Sequence, residues 1–388
     1  MTRKINGFAL TAIALLSMAS RIAFGHTSSF STSATEGTDF VVQEGPPGGN
    51  ATIFFCEDKR IVALNAKTGK VEWSAKGPGF ENAGPSFGPM LSGNKLVYVA
   101  GGAPVTAYGL DSSSGKLKWK VNESSSALTV NHHAVFLSGL GSILKISSKT
   151  GKVEWKKDSG IQGWMNSFVY SNGFLFGESS KVWSAKTGNL VRHLSVEPDL
   201  VVSNGKRVYL WGTENIPLIA ENSLTGNVLW RGEKAPKISP DVTGQVYLAA
   251  SSKYVAADFS YENTKNLYKQ ILFVYDADNG HLLWKKIFTS KQPYVFEPIS
   301  VDNKFVYFVN SIRNNIDYNK LWAFNAHSGK PIWSYSNSEG IFGPVVSLGG
   351  KVFFSSAIGG GDSGQPVRGF FYALGQNTGH LIWIYRQK

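Results

Sequence analysis

Apolar residues fall into short runs along this chain, and the runs repeat. An aliphatic–aromatic pair recurs as Ile53-Phe54, Val97-Tyr98, Val135-Phe136, Leu175-Phe176, Val208-Tyr209, Val246-Tyr247, Val306-Tyr307 and Val352-Phe353. Polar turns such as Ser92-Gly93-Asn94 and Ser203-Asn204-Gly205 precede the pairs, and short apolar segments such as Gly343-Pro344-Val345-Val346 precede the turns. Short runs rich in β-branched and aromatic residues, bounded by Gly, Asn and Ser, predict β-strands in quick succession. A further apolar run ends at Asn65, Asp111, Ser147, Ser184, Asn222, Asp276 or Asn325. Such side chains bond the backbone two residues on and open a turn.

A glycine then closes each turn: Gly69, Gly115, Gly151, Gly188, Gly226, Gly280, Gly329 and Gly379. It takes the positive φ that a Cβ would oppose. Four residues later stands Trp73, Trp119, Trp155, Trp230, Trp284, Trp333 or Trp383; the fourth unit has Arg192 there. Seven of the 11 Trp thus share one slot in an eightfold repeat of about 44 residues. Each unit reads as four strands in meander order. The fold class is therefore all-β, an eight-bladed β-propeller of four-stranded antiparallel blades over residues 37–388. Two stacked sandwich domains would give no reason for one Trp per unit. The Trp side chains read as wedges between blades. The seam beside Arg192 is expected to be the weakest, with Trp183, one strand away, as a substitute wedge.

Composition agrees with this reading. Hydrophobic residues at 42%, against 17% charged and 13% aromatic, exclude a disordered chain. The single cysteine, Cys56, excludes an intramolecular disulfide and a Cys-based zinc cluster. Arg3 and Lys4, the uncharged run from Gly7 to Ala19, and the small residues Ala23 and Gly25 read as a signal peptide over 1–25. The apolar run is too short for a bilayer span, and no later stretch could span. Residues 26–36 read as a Ser/Thr-rich linker. The chain is then exported: periplasmic, secreted or in the lumen of the secretory pathway. The net charge of +12, three of it from Arg3, Lys4 and Arg21, points to an anionic cell-envelope component in such a compartment rather than to nucleic acid.

The repeated pattern A-x-[DN]-x-x-[TS]-G-x-x-x-W resembles the tryptophan-docking motif of the pyrroloquinoline-quinone-type (quinoprotein alcohol dehydrogenase-like) propeller family. The resemblance covers nearly all of the chain after residue 37. It implies the propeller fold, and either of two functions, because the family holds both quinone-dependent dehydrogenases and non-enzymatic scaffolds. The dehydrogenases carry a vicinal Cys–Cys disulfide, a calcium held by Glu, Asn and Asp, and a catalytic Asp. One cysteine cannot form that disulfide, and the acidic set matches no motif here. In size the chain is closer to the scaffold members, which include the propeller lipoprotein of the outer-membrane assembly machinery, although it lacks a lipid-bearing Cys.

Other motifs give way to the repeat. Gly361-Asp362-Ser363-Gly364-Gln365-Pro366 resembles the nucleophile segment of chymotrypsin-like proteases, but no His stands in a matching context. Asp276 to Gly280 is one residue short of a calcium loop and coincides with a repeat turn. His281 and His380 occupy the same slot in different units, which point radially apart, so no metal site is expected. Asn50 and Asn122 head glycosylation sequons.

Loop length is the best functional clue. The connections between second and third strands are longest in units six to eight: Lys253 to Gln270, Asn310 to Lys320 and Ala357 to Arg368. They would emerge on one face and carry Tyr254, Phe259, Tyr261, Tyr268, Arg313, Tyr318 and Arg368, types that anchor interfaces. The reading is a monomeric, non-catalytic binding propeller without cofactor, for a protein or envelope partner. A quinone (PQQ)-dependent oxidoreductase with calcium is one alternative, and a polysaccharide-binding protein another.

Overall fold

The computed structural model describes residues 40–386 apart from 46–49, 58, 80–84, 101–105, 124–126, 140, 162–167, 213–216, 233–243, 263–266, 292–293, 296–298, 313–314, 338–341 and 359–367. The segments read as signal peptide and linker lie outside the described residues. Those residues form strands and turns only, in eight antiparallel sheets.

Blade one shows how the repeat builds each sheet. Strands β1 (Phe40–Gln43), β2 (Thr52–Glu57), β3 (Arg60–Asn65) and β4 (Val71–Lys76) pair in chain order. The central strands are apolar on both faces, because a neighbouring blade covers each. The last strand is exposed or half-buried along its whole length. Between β3 and β4 the Asn65 carbonyl accepts from Gly69 N at 2.8 Å, while its Oδ1 accepts from Lys67 N at 3.0 Å and Thr68 N at 3.2 Å. Gly69 has φ +69°, as the turn requires. The register then slips by one residue, so that Val71 pairs with Leu64 but Trp73 with Ala63. This β-bulge recurs between third and fourth strands of all eight blades and turns the Trp toward the next one.

The indole of each Trp lies on the turn glycine of the following blade. A Cβ on Gly115 would stand 2.6 Å from Trp73, and one on Gly280 2.5 Å from Trp230. The indole N–H donates to a turn carbonyl of the same blade: Trp73 to Ser112 at 3.0 Å, Trp119 to Ser148 at 2.8 Å, Trp230 to Ala277 at 3.0 Å, Trp284 to Ala326 at 2.8 Å and Trp333 to Gln376 at 2.8 Å. Trp383 of blade eight donates to Ala66 of blade one at 3.3 Å and closes the ring. The first strands of neighbouring blades touch all the way round, including β1 against the first strand of blade eight, β30 (Phe342–Leu348).

The fourth blade differs from the sequence reading. Trp183, on β15 (Lys181–Ser184), is buried in the cluster with Phe136 of blade three and so faces away from the Arg192 seam. It does not replace the missing wedge. Arg192 itself docks: its Nη2 donates to the Ser223 carbonyl at 3.0 Å, and its guanidinium lies 5.4 Å from the Phe176 ring and 5.8 Å from that of Phe174. The indole bond is instead missing one seam earlier, where the buried Trp155 Nε1 has no partner among the described residues.

Candidate functional site

Antiparallel order puts the first-to-second and third-to-fourth turns of every blade on one face of the ring. The second-to-third hairpins emerge on the other. Blades six to eight stand out on that second face because their hairpins are long. They are β22 (Tyr254–Glu262) with β23 (Tyr268–Asp276), β27 (Phe305–Ile312) with β28 (Asn315–Asn325), and β31 (Lys351–Ile358) with β32 (Arg368–Gly375). The extra residues expected as loops are mostly strand. Tyr254, Phe259, Tyr261 and Tyr268 therefore lie on β22 and β23 and not in a loop. Phe259 is 2% exposed in the core between blades five and six, and Tyr261 packs against the same core. Tyr254 packs against the core between blades six and seven. Of the other three, Arg313 lies outside the described residues, Tyr318 is on β28, and Arg368 begins β32.

This shift has a local cause. Val246-Tyr247 looks like the second-strand pair but belongs to β21 (Gly244–Ala250), the first strand of blade six. The second strand is β22, and the two pair directly, Tyr247 opposite Asp258.

The opposite face carries an open depression of about 560 Å³. It is lined by turn residues of blades two and three, with Gln43 from the end of β1; the charged or titratable members are Lys95, His132, His133 and Lys149. Lys95 bonds Asn94 Oδ1 at 2.8 Å and lies 3.9 Å from Asp111, so much of its charge is answered from within the blade. Asp111 is held below the usual carboxylate range, chiefly by the Ser113 hydroxyl bond. Further round the same face, Asp302 Oδ2 accepts from Ser347 Oγ at 2.7 Å, Gln376 Nε2 at 2.8 Å and Tyr307 OH at 3.1 Å, tying blade seven to blade eight. Burial, helped by Asp302, pushes the Tyr307 hydroxyl well above the ordinary tyrosine range.

One buried acid appears in no motif. Asp258 is 1% exposed, and its Oδ2 accepts from Gln270 Nε2 at 2.8 Å. Burial pushes its carboxyl up to about 7, against the opposing bond from Gln270. Glu221, 0% exposed and paired with Arg192, is the second polar group that the repeat does not announce. Among the described residues no three His, Cys, Asp or Glu side chains come together as a metal-binding group. Asn50 and Asn122 are both exposed.

Comparison with known proteins agrees with this geometry. A tetrathionate hydrolase of Acidithiobacillus ferrooxidans is 23% identical over 313 residues, 72% of this chain and 54% of the relative. The chain thus spans about half the length of that curated relative. Among solved structures, the dihydro-heme d1 dehydrogenase NirN in complex with DHE superposes with a TM-score of 0.60 at 11% identity, over 97% of this chain and 77% of that one. The computationally designed protein Ika8 superposes with a TM-score of 0.56 at 16% identity, over 76% and 85%. At such identities the likeness is one of fold. Residues 21–157 and 268–388 match the family model described as outer membrane protein assembly factor BamB. With eight blades, each docked on the next by one turn motif, the chain belongs to that family of PQQ-type propellers.

Proposed function

We propose that the chain is an exported, non-catalytic propeller that binds a protein partner on the face of its extended hairpins. The observation that carries this reading is the clustering of the three long hairpins in consecutive blades six, seven and eight. The strands of these hairpins are already paired, and a surface preorganised in that way loses little ordering entropy when a partner docks. The family's description as an assembly factor supports a scaffold role. The basic start and apolar run of the first 25 residues support export.

Shortening the β22–β23 hairpin by deleting residues 261–269 and closing it with Asn-Gly should keep the fold and abolish partner capture in a crosslinking pull-down from the native compartment. Unchanged capture by a folded variant would refute the placement of the site.

The tetrathionate hydrolase relative favours a second reading, an enzyme acting on a sulfur oxyanion. The depression offers such a group the Lys149 ammonium, with the His132 and His133 rings beside it. Turnover of tetrathionate by purified protein, lost in Lys149→Ala, would establish it. A PQQ titration with calcium tests the quinone alternative separately.

A further inference from the structure

Asp258 and Gln270 lie in the shaft of the longest hairpin of blade six, where Asp258 pairs with Leu272 and Gln270 with Ser260 across β22 and β23. Strand alternation puts them on the side of Ala256, Leu272 and Val274, which packs against Ile299, Val306 and Phe308 of blade seven. Both residues are fully buried, so water does not reach them. Their one bond, Gln270 Nε2 to Asp258 Oδ2, leaves Asp258 Oδ1 and Gln270 Oε1 buried with no partner among the described residues.

An ionised carboxylate offers only acceptors, and an amide oxygen is an acceptor too. Two orphaned acceptors in one dry pair are costly. A single proton removes both deficits: a neutral acid donates from Oδ1 to the amide oxygen while its Oδ2 accepts from the amide nitrogen.

We propose that folded Asp258 holds a proton and forms a two-bond acid–amide pair with Gln270, which makes the seam between blades six and seven sensitive to pH. The upward shift of this carboxyl agrees and has burial as its leading cause. The strands packed around the pair are β21, β23, β24 (Leu282–Ser290), β26 (Ser300–Val301), β27 and β28. Their titratable residues on this side are Tyr247, Tyr268, Asp276, Lys286 and Lys320, with Tyr254 on β22 itself. The Lys286 ammonium lies 5.2 Å from the Phe324 ring, and that of Lys320 lies 5.8 Å from the Trp322 ring. None of these groups contributes to the shift of Asp258.

The sign follows from the raised value. The folded chain keeps the proton up to about pH 7, whereas an unfolded Asp releases it near about 4. Stabilisation from this group is full below about pH 4, declines as pH rises through the folded value, and is gone above it.

Asp258→Asn separates this account from a merely structural role. Its amide keeps both bonds, Nδ2 to Gln270 Oε1 and Gln270 Nε2 to Oδ1, with no proton to lose. Thermal melts of the full chain and of Asp258→Asn should be compared between pH 4 and 8.5. The melting temperature of the natural chain, minus that of the variant, should fall by several degrees up to about pH 7 and then level off. A difference that is constant with pH would overturn the proposal. Should the variant not fold, infrared spectra of the natural chain with carboxyl-labelled Asp decide. A protonated-carboxyl band that persists at pH 6 and vanishes by pH 8.5 supports the pair, and its absence at pH 6 overturns it.

Discussion

Arg192 and Glu221 face each other across the seam between blades four and five, Nη1 to Oε2 at 3.6 Å, in two positions that are apolar in every other blade. Where Arg192 stands, the others place Trp. Where Glu221 stands, directly before the turn, they place Leu64, Leu110, Ile146, Trp183, Tyr275, Phe324 and Leu374. The two departures are one. An arginine in the wedge position reaches the Ser223 carbonyl much as an indole would, but its second nitrogen needs a charge, and Glu221 supplies it from a fully buried site. Glu221 is in turn held by the Ser195 N–H at 2.7 Å.

Arg192→Ala should therefore cost about 3–5 kcal/mol in chemical denaturation, because it strands a buried carboxylate. The double change Arg192→Trp with Glu221→Leu restores the pattern of the other seams. It should unfold within about 1 kcal/mol of the natural chain or be more stable, since well-packed apolar groups commonly replace a buried ion pair without loss. A double-mutant cycle in which the two changes simply add would show that the positions are independent.

The indole bonds can be weighed against one another. Trp230 is 8% exposed and spends its N–H on Ala277, whereas Trp155 Nε1 is buried with no partner among the described residues. Trp230→Phe should lose about 1–3 kcal/mol by leaving that carbonyl unmet, with some packing loss besides. Trp155→Phe removes an unsatisfied donor and should lose about 1 kcal/mol less. Equal losses in urea titrations would refute the distinction.

Turn glycines should divide in the same way. Gly205 and Gly280 both have positive φ, +88° and +77°. A Cβ on Gly205 would meet nothing within 4 Å, whereas one on Gly280 would press on Trp230 at 2.5 Å. Gly205→Ala should cost about 1–2 kcal/mol of backbone strain. Gly280→Ala should add about 1–3 kcal/mol of overpacking and lower the melting temperature further.

The ring was legible in the sequence because its rule is local and repeated. Turn residue, glycine and Trp sit at fixed spacing, and eight copies leave little freedom. Blade six was misread because Val246-Tyr247, on a first strand, carries the signature of a second. Its true second strand then passed for a loop, and Phe259, a core residue, passed for a surface anchor. Glu221 had a readable signal, a charge in a position that is otherwise apolar. Asp258 and Gln270 had none: each is a single polar residue near the end of a strand that the ring covers on both sides, and nothing beside it in the sequence tells it from a polar residue at an open hairpin tip.

Among the described residues each blade is made from one stretch of chain, with no strand lent from one end of the sequence to complete a sheet at the other. Among the described residues, blades one and eight are joined through the Trp383 indole on the Ala66 carbonyl and the core they share. The ring therefore has no privileged starting point. A gene that joined the end of β33 (Leu381–Arg386) to the start of β1 through a short linker, and opened the chain between two other blades, would encode the same eight sheets in rotated order.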